Sequence, residues 1–209
     1  MSGSSLSEIN IPHIILEKTT STIEIASKIE VDNPFFAVIA KEQLKGRGRF
    51  LDRKWVSPPD MGIYLSLLIN ETENLIPEGL LYITKAVALS VVDSLKQIFP
   101  EIMLKIKEPN DIFYKNGKIC GVLAESKTKG NQVEKVIISF GLNLIRPEKN
   151  FEELPVATSF LSDLCGIEKA VEKKSEIINL TISNFKKNYY KLCCQKFTDI
   201  DKNFKNFLV

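Results

Sequence analysis

The sequence predicts an α+β fold, a mixed, largely antiparallel sheet with helices packed on it. Short apolar, β-branched runs recur at 35–40, 63–69, 102–106, 112–114, 119–123 and 133–144, each of strand length. Several lie too close together for a helical crossover, so they pair as hairpins. Helical periodicity is confined to a few stretches, chiefly Ile76, Leu80, Ile83, Val87, Val91 and Leu95, then Ile178, Ile182, Phe185 and Tyr189. Hairpin-connected strands with interspersed helices favour this arrangement over a doubly wound parallel sheet.

A chain of 209 residues suits one domain, expected over 13–209, with 167–209 as a helical C-terminal part. Residues 1–12 are expected to form a disordered tail. In chain order, His13-Ile14-Ile15-Leu16 reads as a strand. Ser21 with Glu24 three residues later forms a capping-box pattern, so a helix is expected from about Thr22. The strand at 35–40 is followed by a flexible basic loop and the strand at 63–69. The long periodic helix ends near Pro100. Pro109 turns the chain sharply after the next strand, because it disfavours helical geometry at Glu108. Asn116-Gly117 between apolar runs signals a hairpin, which puts Asp111 and Lys118 on paired strands. Thr128 to Gln132 is a polar turn before the last strand. Ala157-Thr158-Ser159 suits a cap for a short helix ending at Gly166, and helix is expected through most of 192–209.

Composition excludes several functions. A net charge of +2 is too small for general nucleic-acid or membrane binding. The four cysteines form no C-x-x-C pair and His13 is the only histidine, which argues against structural zinc. Adjacent Cys193 and Cys194 make a poor disulfide, so reduced thiols in a cytoplasmic protein are expected. No apolar run is long enough for a membrane span, and there is no secretory leader pattern. With one histidine in the N-terminal strand, a Ser/His/Asp or Cys/His site is not expected. Neither the Walker A run nor the six-position glycine fingerprint occurs.

What remains is a set of cations and one Asn-Asp pair. The basic loop holds Lys45, Arg47, Arg49, Arg53 and Lys54 against Asp52, with Gly46 and Gly48 among them. Lys107, Lys118, Arg47 and Arg49 could neutralise phosphates or a carboxylate. Asn110 and Asp111 could help hold a hydrated Mg²⁺ or orient a nucleophile. Such a set suits phosphoryl or adenylyl transfer, where catalysis is mostly positioning and charge stabilisation.

In order along the chain, these motifs resemble those of the biotin protein ligases. The glycine-rich motif is Gln43-Leu44-Lys45-Gly46-Arg47-Gly48-Arg49, with Arg53-Lys54-Trp55 and Ser57-Pro58 after it. Lys107-Glu108-Pro109-Asn110-Asp111 is similar to the family's Lys-Trp-Pro-Asn-Asp, and Lys118 to Glu125 to its third motif. Gly141-Leu142-Asn143 and Ala157-Thr158-Ser159 resemble later signatures. The resemblance implies the catalytic fold shared by biotin and lipoate ligases, akin to class II synthetases. It also implies a two-step reaction in which biotin is activated by ATP and Mg²⁺ as biotinyl-5′-AMP, then transferred to a lysine of a biotin carboxyl carrier protein. By that resemblance, Ser21, Thr22, Gln43, Gly46, Arg47, Trp55, Lys118 and Gly121 would bind biotin. Arg49, Arg53, Lys107, Asn110, Asp111 and Asn143 would line the ATP side, with Asp111 and Asn143 near Mg²⁺. Lys107, Asp111, Lys118 and Arg49 would be catalytic.

The sequence also departs from the family pattern. Glu108 replaces a tryptophan, Ile23 stands where an asparagine is usual, and the spacer Phe50-Leu51-Asp52 is one residue longer. Neither the family's N-terminal helix-turn-helix nor its small C-terminal β-barrel is expected in this chain, so no DNA partner is expected. A homodimer remains compatible with the resemblance. The rival readings are a lipoate or octanoate ligase or transferase, and a non-catalytic biotin sensor.

Overall fold

The structure is a computed structural model and describes residues 9–48, 54–147 and 157–209. β1 (His13–Thr19) leads through α1 (Thr22–Lys28) into β2 (Phe35–Arg47), and β3 (Lys54–Ser57) and β4 (Gly62–Ile69) follow. α2 (Pro77–Ile98) precedes four strands, β5 (Leu104–Lys107), β6 (Asp111–Tyr114), β7 (Gly117–Lys129) and β8 (Gln132–Asn143). The remainder is helical, with α3 (Ser162–Cys165), α4 (Ile167–Glu172), α5 (Lys174–Cys193) and α6 (Phe197–Lys205). All strands join one eight-stranded sheet in the order β1-β2-β4-β8-β7-β6-β5, with β3 paired to β2. Among the described strands, β1 and β2 are the one parallel pair, as the expected mixed, largely antiparallel sheet requires.

Side-chain alternation sorts the sheet into two faces. On one, Leu65 and Leu67 of β4, Val122 of β7 and Ile138 and Phe140 of β8 join the main core with α2 and α5. The expected helical stripes supply Ile83, Val87, Val91 and Leu95 from α2 and Ile178, Ile182, Phe185 and Tyr189 from α5. On the other face, Val38, Leu68 and Ile137 pack against Ile23 and Ala26 of α1. Each of the larger aliphatic and aromatic side chains among them contributes about 1.5–3 kcal/mol when buried. Because α1 has only seven residues, it covers part of that face and leaves the β6–β8 end open. β4 is buried along its whole length, which explains why it reads as a nearly continuous apolar run, interrupted at Ser66.

Several local expectations are corrected. Residues 9–12 are not part of a tail: Ile9 is buried in the main core, and the Asn10 N–H donates to Asn179 Oδ1 at 2.9 Å. Residues 1–8 lie outside the described part. The capping box does not form, since Ser21 makes no side-chain cap and Glu24 instead pairs with Lys28 and accepts from Thr20. The free N–H of Thr22 goes to Gln43 Oε1 at 2.8 Å, so a distant amide replaces the local cap. The β6–β7 turn centres on Lys115 and Asn116, one residue earlier than the Asn-Gly pattern suggests, with Tyr114 opposite Gly117. Lys115 takes the positive φ of 53°, and Gly117 is needed for another reason: a Cβ there would lie 2.4 Å from Ser159 Oγ.

Ala157 to Ser159 do not cap a helix. They line up beside β7, where the Lys118 N–H donates to the Ala157 carbonyl and the Ser159 N–H to the Lys118 carbonyl. α3 starts only at Ser162 and does end at Gly166, at φ 82°. The basic loop is also shorter than expected, because Lys45, Gly46 and Arg47 belong to β2. Gly46 faces Trp55 and Arg47 faces Lys54 in a hairpin arm. A side chain at Gly46 would put Cβ 2.3 Å from the Trp55 carbonyl.

Two further contacts fix the frame. Residues 207–209 run beside β5, where the Phe207 carbonyl accepts the Ile106 N–H at 2.7 Å and the Val209 N–H donates to the Ile106 carbonyl at 3.2 Å. Between α2 and α5, Asn184 Nδ2 donates to Ser94 Oγ at 3.0 Å and Asn188 Nδ2 to Ser90 Oγ at 3.1 Å, all buried. Removing Asn188 leaves Ser90 its own donation to the Ala86 carbonyl at 2.6 Å but strips its buried oxygen of a donor. Asn188→Ala is therefore expected to destabilise the fold by about 1–3 kcal/mol, read from the midpoint of urea unfolding with an unchanged slope.

Candidate active site

The open part of the sheet face forms a cleft of about 780 Å³, of a size suited to a small molecule. Its floor is a row of residues that pair across the strands: Asp111 opposite Gly121, and Gly121 opposite Gly141. The two adjacent glycines make a flat patch, and the Trp55 indole lies on it. A Cβ at Gly141 would sit 2.4 Å from Trp55 Nε1, and one at Gly121 would sit 2.9 Å from Trp55 Cζ3. Lys118 Nζ stands 5.0 Å from the centre of the same ring, a cation–π contact. Trp55 Nε1 is buried without a hydrogen-bond partner among the described residues.

Charge is concentrated at the β5–β7 end. Lys118 Nζ bonds Asp111 Oδ1 at 2.6 Å, as expected for residues on paired strands. Arg47 at the end of β2 reaches across to Glu125 of β7. Lys107, opposite Asp111 in the β5–β6 register, lines the cleft and forms no ion pair among the described residues. Glu108 lines the cleft too, and its charge helps raise the Lys205 pKa, behind the larger effect of Asp201. Asn110 is held on β7 in both directions, its Nδ2 donating to the Val122 carbonyl at 2.8 Å and its carbonyl accepting the Val122 N–H at 3.0 Å. Asn143 Nδ2 donates to the Lys118 and Ser159 carbonyls, both at 3.2 Å, which leaves its Oδ1 uncommitted among the described residues.

The opposite end is neutral and polar. Gln43 Oε1 accepts from both the N–H and the hydroxyl of Thr22, and its Nε2 donates to Ser57 Oγ at 2.9 Å. Ser21, Thr22 and Gln43 line this end beside the apolar Ile23 and Leu123. The cleft therefore offers an apolar slot with polar fittings at one end and cations at the other, which suits a molecule that is neutral at one end and anionic at the other.

The structure brings together Ser21, Thr22, Gln43, Arg47, Trp55, Lys107, Asn110, Asp111, Lys118, Gly121 and Asn143 around this cleft. Gly46 stands behind it, in the hairpin arm. Arg49, Arg53 and the longer spacer 50–52 lie outside the described residues. Sequence reading missed Gly141 as a site residue, although a glycine inside a strand is a recognised sign of close approach. It also missed Ser66 and Ser139, for which no local pattern gives a signal. Gly141→Ala is expected to lift the indole from its floor. Trp55 is the only tryptophan, so its emission would move to the red while far-ultraviolet circular dichroism stays unchanged.

Similarity to known proteins points the same way. A sequence model of the biotin/lipoate A/B protein ligase family matches residues 15–143. The bifunctional ligase/repressor BirA of Bacillus subtilis is 31% identical over 190 residues, covering 90% of this chain and 56% of the relative. A biotin–[acetyl-CoA-carboxylase] ligase of Paracoccus denitrificans is 36% identical over 112 residues, 51% of this chain and 43% of the relative. The chain thus spans about half the length of these relatives. A biotin protein ligase from Aquifex aeolicus, solved in complex with biotin and ATP, matches with a TM-score of 0.76 at 27% identity, over 95% of this chain and 78% of that one. With the match covering more than half of its length and the fold in agreement, the chain belongs to the biotin/lipoate A/B protein ligase family.

Proposed function

We propose that the protein joins biotin to a lysine of a biotin carrier protein, by way of biotinyl-5′-AMP. One observation carries this reading: a single cleft joins the neutral Thr22–Gln43 end to the Lys107, Asp111 and Lys118 end across a flat floor of two glycines. Biotin has the matching form, a neutral ureido ring joined by an apolar chain to a carboxylate.

In the first step the carboxylate oxygen attacks the α-phosphorus of ATP, and pyrophosphate leaves. Both reactants are anions, so their approach is opposed until cations offset the charge. Lys118 would hold the carboxylate, exchanging part of its contact with Asp111 for it. Lys107, free of any ion pair among the described residues, would meet the charge that builds on the α-phosphoryl oxygens. Trp55 would cover the acyl chain, and Asn110 and Asn143 would line the nucleotide side. In the second step the lysine amine attacks the acyl carbon and AMP leaves, with Asp111 placed to orient the amine. Arg49 and Arg53, outside the described residues, keep their proposed place on the phosphate side.

The oxygen donors at this end are few. Asp111 is engaged by Lys118, Asn143 offers one oxygen, and no group of three His, Cys, Asp or Glu side chains converges among the described residues. Such a set suits Mg²⁺ arriving on the triphosphate as part of the substrate rather than as a resident ion. The reading needs neither a second copy of the chain nor nucleic acid. Free thiols at all four cysteines, and no helix long and apolar enough to cross a membrane among the described residues, are compatible with a cytoplasmic setting.

Incubation with ATP, Mg²⁺, biotin and a biotin carrier domain, followed by a streptavidin blot, tests the whole reaction. A labelled carrier is expected, and an unlabelled one would overturn the transfer. Lys107→Ala is expected to lower biotin-dependent ATP–pyrophosphate exchange by about a hundredfold or more. Biotin binding by calorimetry should be largely kept, because Lys107 stands at the phosphate end. Near-normal exchange in that variant would remove Lys107 from its role.

A further inference from the structure

A line of side chains behind the cleft has a fixed hydrogen-bond direction. The backbone N–H of Thr22 lies 2.8 Å from one amide atom of Gln43. A backbone N–H only donates, so that atom is the carbonyl oxygen and the other is the NH₂. The Thr22 hydroxyl, 3.2 Å from the same oxygen, gives its single proton there. Toward Ser66 it can then only accept, and Ser66 donates to it at 2.8 Å. Ser66 has no second proton, so at the 2.7 Å contact between Ser66 Oγ and Ser139 Oγ the proton comes from Ser139. Two hydroxyl oxygens that close with no proton between them would repel. On the far side, the Gln43 NH₂ donates to Ser57 Oγ at 2.9 Å, and Ser57 donates to the Trp55 carbonyl at 3.3 Å.

Every hydroxyl proton in the line is committed in one direction, from Ser139 through Ser66 and Thr22 to Gln43, and from Ser57 to Trp55. The sheet makes this possible, because Ser66 and Ser139 are direct partners in the β4–β8 register. Ser66 is fully buried and does not line the cleft, whereas Ser139 does line it. With its proton spent on Ser66, Ser139 presents only lone pairs to the cleft.

We propose that Ser139, polarised by the buried Ser66, is a specificity-determining acceptor that selects acids whose ring carries an N–H donor. This rests on the ligase reading for the identity of the ligand. A cyclic urea supplies such a donor. A dithiolane ring or a plain alkyl chain does not, and would leave the Ser139 oxygen desolvated and unpaired. Ser66 acts as a positioning residue: it touches no ligand but fixes which way the Ser139 hydroxyl points.

The test compares binding of biotin and of lipoate by calorimetry to the full chain, to Ser139→Ala and to Ser66→Ala. Ser139→Ala should weaken biotin about tenfold and, by removing the oxygen that lipoate leaves unpaired, tighten lipoate, so the preference falls by about tenfold or more. Ser66→Ala should shift the preference the same way, because the freed Ser139 proton can turn into the cleft. A merely structural role would weaken both acids alike. Should Ser66→Ala fail to fold, the partly exposed Ser139→Ala still decides. An unchanged biotin-to-lipoate ratio in the folded variants overturns the assignment and leaves the ligase reading intact. An unaltered chain that binds neither acid overturns the ligase reading, and this assignment with it.

Discussion

The cleft depends on two side chains that are missing. Gly121 and Gly141 face one another on β7 and β8, and no larger residue fits at either place without pushing Trp55 away. Their flatness lets an indole lie on the sheet, with the Lys118 ammonium beside it. Gly46 makes a matching allowance in the hairpin arm, where the strand that carries Trp55 passes close to β2. Three glycines on three strands thus set how near the arm lies to the floor. The main core on the opposite face supplies the rigidity that such close approach needs.

The charged groups differ in how far they are already committed. Lys118 and Arg47 each have an acidic partner, Asp111 and Glu125, whereas Lys107 has none among the described residues. The carboxylates also lower the cost of gathering several cations at one end of the cleft. An incoming anion can compete for Lys118, and it meets Lys107 without displacing an internal partner. Glu108 lies between the cleft and the Lys205 side of α6. Its charge is thus shared with a group outside the cleft.

Much of this was legible in the sequence because it is local. The 63–69 run, the α2 stripe and the Lys107 to Asp111 corner each depend on a few neighbouring residues, and the nearness of Asp111 and Lys118 follows from one short hairpin. Cross-strand register was not legible. Nothing near Ser66 indicates that it will meet Ser139, 73 residues away, and Gly121 carries no sign of Gly141 opposite. The failed capping box has the same origin. Ser21 and Glu24 hold the right spacing, yet Gln43 reaches the Thr22 N–H from 21 residues away and satisfies it first. Where a local motif competes with a tertiary partner, the sequence shows only the motif.

The short segment 207–209 has a meaning beyond sheet closure. Both backbone groups of Ile106 that point away from β6 are occupied by Phe207 and Val209. Lys107 is the next residue, and its side chain turns to the opposite face from Ile106. The stem of the uncommitted cation is therefore braced from both sides, by β6 within the sheet and by the last helix's trailing residues outside it. Aim, in this cleft, is a property shared between a lysine and a segment about a hundred residues further along the chain.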